Sequence, residues 1–366
     1  MRVMTILGTR PEIIRLSLVM KVLDQHSEHV MVHTGQNFDE SLSDVFFSEL
    51  DVRAPDIHLG IRSTSFADQA AEIIQKTDAA IAERSPDRIL ILGDTNSGLA
   101  AIPAARRRVP VFHMEAGNRC YDYRVPEEVN RRIIDHSSTI LMPYTERSRQ
   151  NLLREGIESE RIYVTGNPIK EVIDSVADST DASTVLDDQQ LKAFEYFLVT
   201  LHRAENVDEP ERLKSIFDGL DMVAKTFSKP VLVAVHPRTA DRLAQHGLTT
   251  DPDRIHLINA LGFIDFVKLE KNALAVLTDS GTVQEECAIF GVPNVTLRDV
   301  TERPETIECG SNILAGADPN AIVRAVELAI SQPAGWQAPQ EYLTPNVSQT
   351  VSKIVLGHLS LRQHCS

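Results

Sequence analysis

The sequence has few cysteines, and their positions exclude two kinds of stabilised small fold. Cys120, Cys287, Cys309 and Cys365 lie far apart, and no two of them form a CxxC pair. Neither a disulfide framework nor a zinc ribbon is therefore indicated. This use of cysteine fits a reducing cytoplasm.

The sequence also lacks long apolar runs and an excess of positive charge. No stretch approaches the roughly 18 apolar residues of a membrane-spanning helix, and the opening MRVMTILG is too short for the apolar region of a signal peptide. We therefore expect a cytoplasmic protein without a membrane partner. The 37 basic residues are outnumbered by 52 acidic ones, for a net charge of −15. This balance opposes broad binding to nucleic acid, so an anionic substrate would need arginines concentrated at one place.

Metal-binding motifs are missing as well. His26 and His29 are three residues apart near a predicted helix end, and no pair of histidines has the spacing of a zinc-enzyme helix. We interpret these two histidines as surface or supporting residues and expect no metal site.

What the chain does contain is a regular alternation of strand and helix patterns. At 366 residues its length favours two domains. Short apolar runs, among them 88–92, 162–164 and 231–235, alternate with amphipathic segments on both sides of a polar stretch at 175–183. This pattern predicts an α/β fold with two doubly wound Rossmann-like domains that face a cleft, the first at 1–170 and the second at 185–345.

The segment 273–286, ALAVLTDSGTVQEE, predicts a buried strand, a tight turn and a helix start. Thr282 and Glu285 have the spacing of a capping box, which predicts that the helix begins there. The N–H groups of such a helix start attract an anion such as phosphate. A capped helix without any ligand is the alternative. Glu286 adds a second carboxylate, which can accept hydrogen bonds from ribose hydroxyls.

The start of the chain repeats this arrangement. A strand at 3–7 runs into GTRPE, where Thr9 and Glu12 have capping-box spacing and Pro11 suits a first helical turn. Arg10 would then lie at the helix start, where a guanidinium can bind a phosphate through two hydrogen bonds. A salt bridge to a neighbouring carboxylate is the alternative for this arginine.

Three carboxylates are expected at the carboxyl edge of the first predicted sheet. Asp94 follows the strand 88–92, Glu115 follows the strand 109–114, and Glu127 opens the next helix. A single carboxylate at a strand end is usually a helix cap or half of an ion pair. Three that point into one crevice favour general acid–base chemistry.

Histidine follows two strands of the second half. His202 leaves the strand 196–201 beside Arg203 and Glu205, and His236 follows the strand 231–235. A protonated His202 is placed to face a departing phosphate.

Seven motifs in order give the chain a resemblance to a known family. They are GTRPE (8–12), GDTNS (93–97), HMEAGNR (113–119), PEEVNR (126–131), HRAEN (202–206), TDSGTVQEE (278–286) and RDVTERPE (298–305). Together they resemble the non-hydrolysing UDP-N-acetylglucosamine 2-epimerases over nearly the whole chain. The resemblance implies the two-domain glycosyltransferase-B architecture, with UDP held mainly by the second domain and the last helix, 347–361, completing the first.

The resemblance also implies roles for individual residues. The family's catalytic positions match Asp94, Glu115, Glu127, Arg131 and His202. Positions that bind the diphosphate and ribose match Arg10, Ser280, Gly281 and Glu286, and Phe266 would pack on uracil. The other substrate-binding candidates are Arg15, His236, Thr282 and Arg303.

The implied chemistry is elimination of UDP across C1 and C2 of a UDP-sugar, followed by re-addition with the opposite configuration at C2. Positioned carboxylates serve the proton at C2, and Arg and His serve the departing UDP. Neither step needs a metal or another cofactor. The expected partners are the UDP-sugar and UDP, with no nucleic acid, and the family implies a homodimer.

Three departures from the family pattern bear on specificity. Arg15 replaces a lysine of the best-known members, and the two residues are not interchangeable. Thr282 stands where many members have a second glycine, and the segment 36–39 lacks the Gln-His pair of members with an allosteric site, which argues against allosteric activation. The variants GTRPEIIR, TGQNFD and SGTVQEE look more like the branch that acts on a UDP-2-acetamido-6-deoxyhexose and leads to UDP-N-acetyl-L-fucosamine.

Two functions of other classes are also compatible with the sequence. A glycosyltransferase can use the same two-domain fold to pass a sugar to an acceptor. A catalytically silent sensor of nucleotide sugars is disfavoured, because Asp94, Glu115, Glu127 and His202 are all present.

Overall fold

The computed structural model describes residues 1–35, 40–63, 65–332 and 335–357, with the backbone alone at 40–43. The segment 36–39, where the Gln-His pair is missing, lies outside these residues. The end of the predicted helix 347–361 lies outside them as well.

The chain forms two compact units. The first contains Met1–Ser175 together with the chain from Glu341 onward, and the second contains Val176–Gln340. Each unit holds a sheet of six parallel strands. The domain limits expected from the sequence, 1–170 with the last helix and 185–345, stay a prediction.

The strands of the first sheet are β1 (Arg2–Leu7), β2 (Glu28–His33), β3 (Ile57–His58), β4 (Arg88–Leu92), β5 (Val111–Met114) and β6 (Ile140–Met142). Those of the second are β7 (Phe197–Leu201), β8 (Val231–Val235), β9 (Ile255–Asn259), β10 (Ala275–Thr278), β11 (Asn294–Thr296) and β12 (Asn312–Leu314).

Helices connect the strands in both units. The first unit begins with α1 (Arg10–His26), α2 (Glu40–Glu49), α3 (Phe66–Arg84), α4 (Ala101–Arg106), α5 (Glu127–Ser137), α6 (Glu146–Arg154) and α7 (Ile169–Ser175). The second contains α8 (Ala177–Ala182), α9 (Val185–Asp188), α10 (Ala204–Val207), α11 (Pro210–Phe227), α12 (Pro237–Gln245), α13 (Phe263–Lys271), α14 (Gly281–Phe290), α15 (Pro304–Glu308) and α16 (Pro319–Ser331). The last helix, α17 (Val347–Leu356), belongs to the first unit.

The two sheets have the same topology. The first runs β3-β2-β1-β4-β5-β6, and the second runs β12-β11-β10-β7-β8-β9. When the second is read from its other edge and its strands are counted from the start of the unit, the two orders are the same. In both, the order reverses between the first and fourth strands of the unit, and ligands of open α/β sheets bind beyond the carboxyl ends of the strands at such a point. The predicted fold of two doubly wound Rossmann-like sheets is confirmed.

The strands beside each reversal are apolar because helices cover both faces of the sheet. All five residues of β4, RILIL, are buried, and so are all four of β10, AVLT. The polar residues that follow these strands therefore begin where burial ends, at the carboxyl edge of each sheet.

Two predicted elements differ from the structure. The strand predicted at 162–164 is reduced to a single bridge between Leu141 and Ile162, since Val164 is 38% exposed and contributes little to a sheet. The helix predicted to begin at Thr282 begins at Gly281 instead, after Ser280 as the N-cap. The capping box of Thr282 and Glu285 was therefore a wrong prediction.

The C-terminal segment is attached to the first unit by polar contacts. Arg88 donates hydrogen bonds to the carbonyl of Val355 and to that of Gly357, the latter at 2.7 Å. The N–H of Ser348 donates to Glu171 at 2.9 Å. Arg88 thus closes the carbonyl end of α17, where a positive charge is favourable.

Within the described part of the chain, no helix combines the length and apolar character needed to cross a membrane.

Candidate active site

Glu12 closes the N-terminus of α1 at the point where the first sheet reverses order. Its carboxylate accepts hydrogen bonds from the N–H groups of Gly8 and Thr9 at 2.8 and 2.7 Å, and from the Thr9 hydroxyl at 2.9 Å. Its other oxygen accepts from the hydroxyl of Thr95 beyond β4, also at 2.9 Å. Burial raises the pKa of Glu12 to about 7, although these hydrogen bonds act in the opposite direction. The helix start of the first unit is therefore occupied by the chain's own carboxylate.

Two arginines of α1 lie near this edge in different surroundings. Arg10, the first helical residue, is half-buried with its guanidinium 5.7 Å from the ring centroid of Phe46, and burial lowers its pKa. Arg15 is almost wholly buried, with Nη1 2.5 Å from Glu115 Oε2 and the guanidinium 5.7 Å from the ring of Tyr144. Arg15 is thus an ion-pair partner of a catalytic candidate, and its predicted contact with substrate stays a prediction.

Glu115 directly follows β5, and its backbone is held in an uncommon conformation. Its φ angle is +64°, in the left-handed region, while its N–H donates to Met142 on β6 at 3.0 Å. Asn118 Nδ2 donates to Glu115 Oε1 at 3.2 Å, and the side chain is 8% exposed. Non-glycine residues in this region cost free energy and concentrate at functional sites.

Asp94 is held by Arg131 beyond the adjacent strand β4. Arg131 Nε lies 2.7 Å from Asp94 Oδ2, and its Nη1 lies 2.8 Å from Glu128 Oε2. Glu128 is wholly buried and also accepts the N–H groups of Cys120 and Tyr121 at 3.0 and 3.3 Å. Asp94 keeps 21% of its side chain exposed. One arginine therefore links the exposed carboxylate to the loop that follows β5.

Glu127 and Glu128, adjacent in the sequence, have different environments. Glu127 is the first residue of α5 and is half-buried. Glu128 is wholly buried against the loop. The catalytic assignment of Glu127 stays a prediction, and Glu128 has the contacts of a structural residue.

Sequence reasoning missed a buried chain of polar contacts behind these carboxylates. This chain of contacts, termed the relay, contains His113, Asp135 and Arg119. His113 Nε2 lies 2.8 Å from the carbonyl oxygen of Gly93, and its Nδ1 lies 2.9 Å from Asp135 Oδ1. Arg119 and the N–H of Gly117 donate to the other oxygen of Asp135 at 2.8 and 3.2 Å. Burial alone would raise the pKa of Asp135, but His113 and Arg119 outweigh it and lower the pKa. Arg119 therefore serves this relay.

In the second unit, two histidines follow adjacent strands. Leu201 of β7 pairs with Val235 of β8, so His202 and His236 leave the sheet side by side, with ring centroids 6.2 Å apart. His236 is the N-cap of α12, where its Nδ1 accepts the N–H of Arg238 at 3.2 Å.

Asp279, in the tight turn predicted for the segment 273–286, holds His202 in place. It is fully buried and accepts the backbone N–H groups of His202 and Arg203 and the amide of Asn206 at 2.9–3.1 Å. Its Oδ1 lies 3.0 Å from His202 Nδ1. Burial alone would raise the pKa of Asp279, but His202 and these donors lower it to about 2. Because Nδ1 donates to Asp279, Nε2 is the atom left to face a ligand. The sequence did contain a signal for Asp279, because this residue directly follows the strand β10 at the point where the strand order reverses.

The helix start at Ser280 differs from that of α1. The side chain of its N-cap residue, Ser280, makes no capping hydrogen bond, and the first turn holds no acidic residue. The N–H of Ser280 donates to the Thr278 hydroxyl at 2.9 Å. The Ser280 and Thr282 hydroxyls lie 3.0 Å apart. A Cβ on Gly281 would lie 2.6 Å from Glu302 Oε1, so any larger residue here requires the buried Glu302 side chain to shift. This start has the properties of an anion site.

The segment after β11 supports that turn through buried ion pairs. Glu302 contacts Arg203 Nη2 at 3.1 Å and Arg298 Nη1 at 2.8 Å. Arg303 pairs with Glu285 on α14, and both are buried. Arg303 therefore fastens α14, and its predicted contact with substrate stays a prediction.

The remaining candidates lie on α13 and α14. Phe266 is half-buried and packs against the core cluster of this unit. Glu286 is 4% exposed in α14, and its carboxyl group contacts that of Glu270 on α13. No set of three or more His, Cys, Asp or Glu side chains is grouped to hold a metal ion in the described parts of the chain.

The two edges suit different tasks. The first combines carboxylates with arginine partners, which suits proton transfer from a fixed position. The second combines a helix start that has no acidic residue in its first turn with an oriented imidazole, which suits a phosphate.

Comparisons with known proteins show which family the chain resembles as a whole. The family model for UDP-N-acetylglucosamine 2-epimerase matches residues 21–356. The UDP-N-acetylglucosamine 2-epimerase of Methanocaldococcus jannaschii is 40% identical over 93% of this chain and 95% of that protein. The UDP-2,3-diacetamido-2,3-dideoxy-D-glucuronate 2-epimerase of Pseudomonas aeruginosa is 36% identical over 91% of this chain and 93% of that protein.

Solved structures extend the likeness to three dimensions. The crystal structure of the M. jannaschii UDP-GlcNAc 2-epimerase in complex with UDP-GlcNAc and UDP has a TM-score of 0.92 and 38% identity, covering 97% of this chain and 99% of that one. WaaG, a glycosyltransferase involved in lipopolysaccharide biosynthesis, shares the fold at a TM-score of 0.61 and 12% identity, covering 98% and 100%. The family match and the 40% identical relative show that the chain belongs to the UDP-N-acetylglucosamine 2-epimerase family.

Proposed function

We propose that this protein inverts C2 of a UDP-N-acetylhexosamine, converting UDP-N-acetylglucosamine to UDP-N-acetylmannosamine by elimination and re-addition of UDP. The observation that carries the proposal is a pair of carboxylates beyond adjacent strands, each held by its own arginine. Asp94 lies 2.7 Å from Arg131 and Glu115 lies 2.5 Å from Arg15. Membership of the epimerase family supports the assignment of this pair to C2 chemistry.

In the elimination step a carboxylate removes the proton from C2, and the bond between C1 and the phosphate oxygen breaks. The electron pair of that bond leaves with UDP, and a glycal remains. Glu115 acts at C2, with Asp94 and Glu127 as the other acid–base groups and Arg131 as the group that orients Asp94. Re-addition reverses both bond changes, with protonation of C2 on the opposite face.

The departing UDP carries negative charge that the second unit is suited to stabilise. The N–H groups of Gly281 and Thr282 and the hydroxyl of Ser280 bind the diphosphate, since the Ser280 N–H already donates to the Thr278 hydroxyl at 2.9 Å. His202 presents Nε2 to the same group. Arg10, Arg15, His236 and Arg303 supply further positive or hydrogen-bonding groups for the UDP-sugar. Glu286 accepts hydrogen bonds from the ribose, and Phe266 packs on the uracil.

Isotope exchange tests the proposal directly. Incubation with UDP-N-acetylglucosamine in D2O is expected to place deuterium at C2 of the sugar, together with the C2 epimer, as followed by NMR. Absence of exchange with every UDP-N-acetylhexosamine offered would remove the epimerase assignment.

A second substrate class has a specific observation in its favour. The P. aeruginosa relative, 36% identical, is named for a UDP-diacetamido-glucuronate, and the variants of the sequence motifs resemble the branch that acts on UDP-2-acetamido-2,6-dideoxyhexoses. A panel of UDP-sugars that differ at C3 and C6 separates these substrates by their rates of C2 exchange.

The glycosyltransferase alternative rests on the fold alone, since the likeness to WaaG is at 12% identity. Reversible interconversion without an acceptor would eliminate this alternative. Irreversible release of UDP that depends on an acceptor would favour it.

The homodimer and the cytoplasmic location also stay predictions. Light scattering of the purified protein tests the first, and fractionation of the native host tests the second.

A further inference from the structure

Two carboxyl groups touch each other inside the second unit. Glu270 on α13 is 0% exposed and Glu286 on α14 is 4% exposed, and their side chains are in hydrogen-bond contact. Two ionised carboxylates repel one another in such a dry environment, so one member of the pair holds a proton. A proton between the two oxygens converts the repulsion into a short, charge-assisted hydrogen bond.

The surroundings identify Glu270 as the member that holds the proton. Its Oε1 accepts the thiol of Cys287 at 3.3 Å. Its Oε2 is enclosed, and in the described parts of the chain no N–H or O–H group donates to it. Burial first, and then the charge of Glu286, raise the pKa of Glu270 well above its ordinary value.

The neighbouring polar groups are committed to other partners. The hydroxyl of Tyr196 donates to the carbonyl of Leu269 at 2.5 Å. The ammonium groups of Lys268 and Lys271, on the same helix, contact Asp181 at 3.0 and 3.9 Å.

We propose that Glu270 is a positioning residue that carries a proton, donates it in a hydrogen bond to Glu286, and so fixes the Glu286 carboxylate to receive the ribose hydroxyls of UDP. This inference rests on the proposed function, in which Glu286 binds the ribose. Glu270 touches neither the sugar nor the reacting atoms. Its effect is to hold an acceptor in one orientation before the nucleotide arrives.

Binding of UDP and of 2′-deoxy-UDP tests the proposal without any need for turnover. By calorimetry the wild-type protein is expected to prefer UDP by about tenfold, since the lost 2′-hydroxyl removes a hydrogen bond to a charged group. Glu270→Leu removes the donor at similar volume, and the preference is expected to fall to within about twofold. Glu270→Gln keeps an N–H donor toward Glu286 and is expected to restore most of the preference.

Val267→Ala is the matched control, since Val267 is a fully buried residue of the same helix. It is expected to lower the melting temperature and to leave the ratio of the two affinities unchanged. A Glu270→Leu variant that folds and keeps the full preference would overturn the proposal.

An infrared difference spectrum covers the case in which the leucine variant does not fold. Measured near pH 8, where Glu12 with its pKa of about 7 is mostly ionised, wild type minus Glu270→Gln is expected to show the C=O band of a protonated carboxyl group. No such band would also overturn the proposal. Failure of the wild type to bind UDP at all would instead refute the proposed function, so the two failures are distinguishable.

Discussion

The two units share one topology and differ in how they treat the helix start at the reversal of strand order. In the first, Glu12 takes the N–H groups of Gly8 and Thr9 for itself. In the second, the uncharged hydroxyl of Thr278 accepts the N–H of Ser280, and the nearby carboxylate of Asp279 is turned to His202 instead. The same fold thus places a carboxylate at the helix start of the unit that we propose for acid–base work, and no acidic residue in the first turn of the helix that we propose to bind an anion.

The charged residues around each start follow the same division. Asp94 and Glu115 lie beyond the first sheet, each with an arginine partner. Beyond the second sheet the carboxylates of Glu302 and Glu285 are buried and hold arginines in place around the turn. Duplicated topology therefore does not imply duplicated chemistry, since a few side chains at the sheet edge decide it.

The largest expected effect is on the acid–base side. Glu115→Gln keeps the shape of the side chain and removes the proton-transferring group, so C2 exchange is expected to fall by about 10²–10⁴, with UDP affinity near wild type. Exchange, UDP affinity and melting temperature are measured on one preparation. Glu155→Gln, which also removes a carboxylate from an arginine at 2.5 Å in the same unit, is the control for loss of an ion pair. Exchange in the Glu115 variant within about threefold of wild type would show that Glu115 is not an acid–base group.

The second-largest expected effect is on the pH dependence of stability, which differs between Glu12 in the first unit and Asp279 in the second. The pKa of Glu12 is raised to about 7 in the folded state, so its contribution to stability is complete below the unfolded value near pH 4.5 and is lost as pH rises to about 7. The pKa of Asp279 is lowered to about 2, so its contribution is present above about pH 4 and is lost as pH falls toward 2. The change is of the order of 3 kcal/mol for Glu12 and of the order of 2 kcal/mol for Asp279.

Thermal unfolding between pH 2 and pH 8 measures both contributions. Glu12→Gln is expected to flatten the curve between about pH 4.5 and pH 7, and Asp279→Asn is expected to flatten it below about pH 4. Identical pH profiles for the two variants would contradict the assigned directions.

The third effect concerns the orientation of His202. Asp279→Asn can still accept the backbone hydrogen bonds, but it loses the charge that fixes the imidazole with Nδ1 inward. The rate is expected to fall by about 10–100-fold with a smaller change in KM, and the pH dependence of kcat is expected to shift as well. A rise in KM at constant kcat would indicate that Asp279 serves binding and not the orientation of a catalytic group.

The sequence predicted the features that depend on neighbouring residues and missed those that depend on distant ones. An apolar run followed by polar residues indicates a strand and its edge, and Asp94, Glu115 and His202 were located in this way. The pairing of Arg15 with Glu115 spans 100 positions, and that of His202 with Asp279 spans 77. No local pattern contains such contacts.

At the start of α14, a local pattern predicted a contact that the structure does not contain. Glu285 has capping-box spacing to Thr282, yet its carboxylate pairs with Arg303, 18 positions further on. The tertiary contact prevailed over the local motif, and the helix begins at Gly281. The strand predicted at 162–164 failed because its apolar residues do not face a neighbouring strand along their length.

The smallest effect tests whether the start of α14 is the anion site. Gly281→Ala favours the helix by propensity, but its Cβ would lie 2.6 Å from Glu302 Oε1, and Glu302 is buried between two arginines. A net loss of about 1–2 kcal/mol in stability is expected, with UDP affinity reduced by about tenfold.

Gly291→Ala is the matched control at the other end of α14. Gly291 has φ +74° with open space around it, so alanine there costs about 1 kcal/mol through backbone strain alone. Its UDP affinity is expected to equal that of wild type. If the two variants lose stability alike and only Gly281→Ala loses UDP affinity, the anion binds at the N-terminus of α14. An equal loss of affinity in both would mean that general weakening of the helix explains the effect, and the contrast between the two units would then rest on the carboxylates alone.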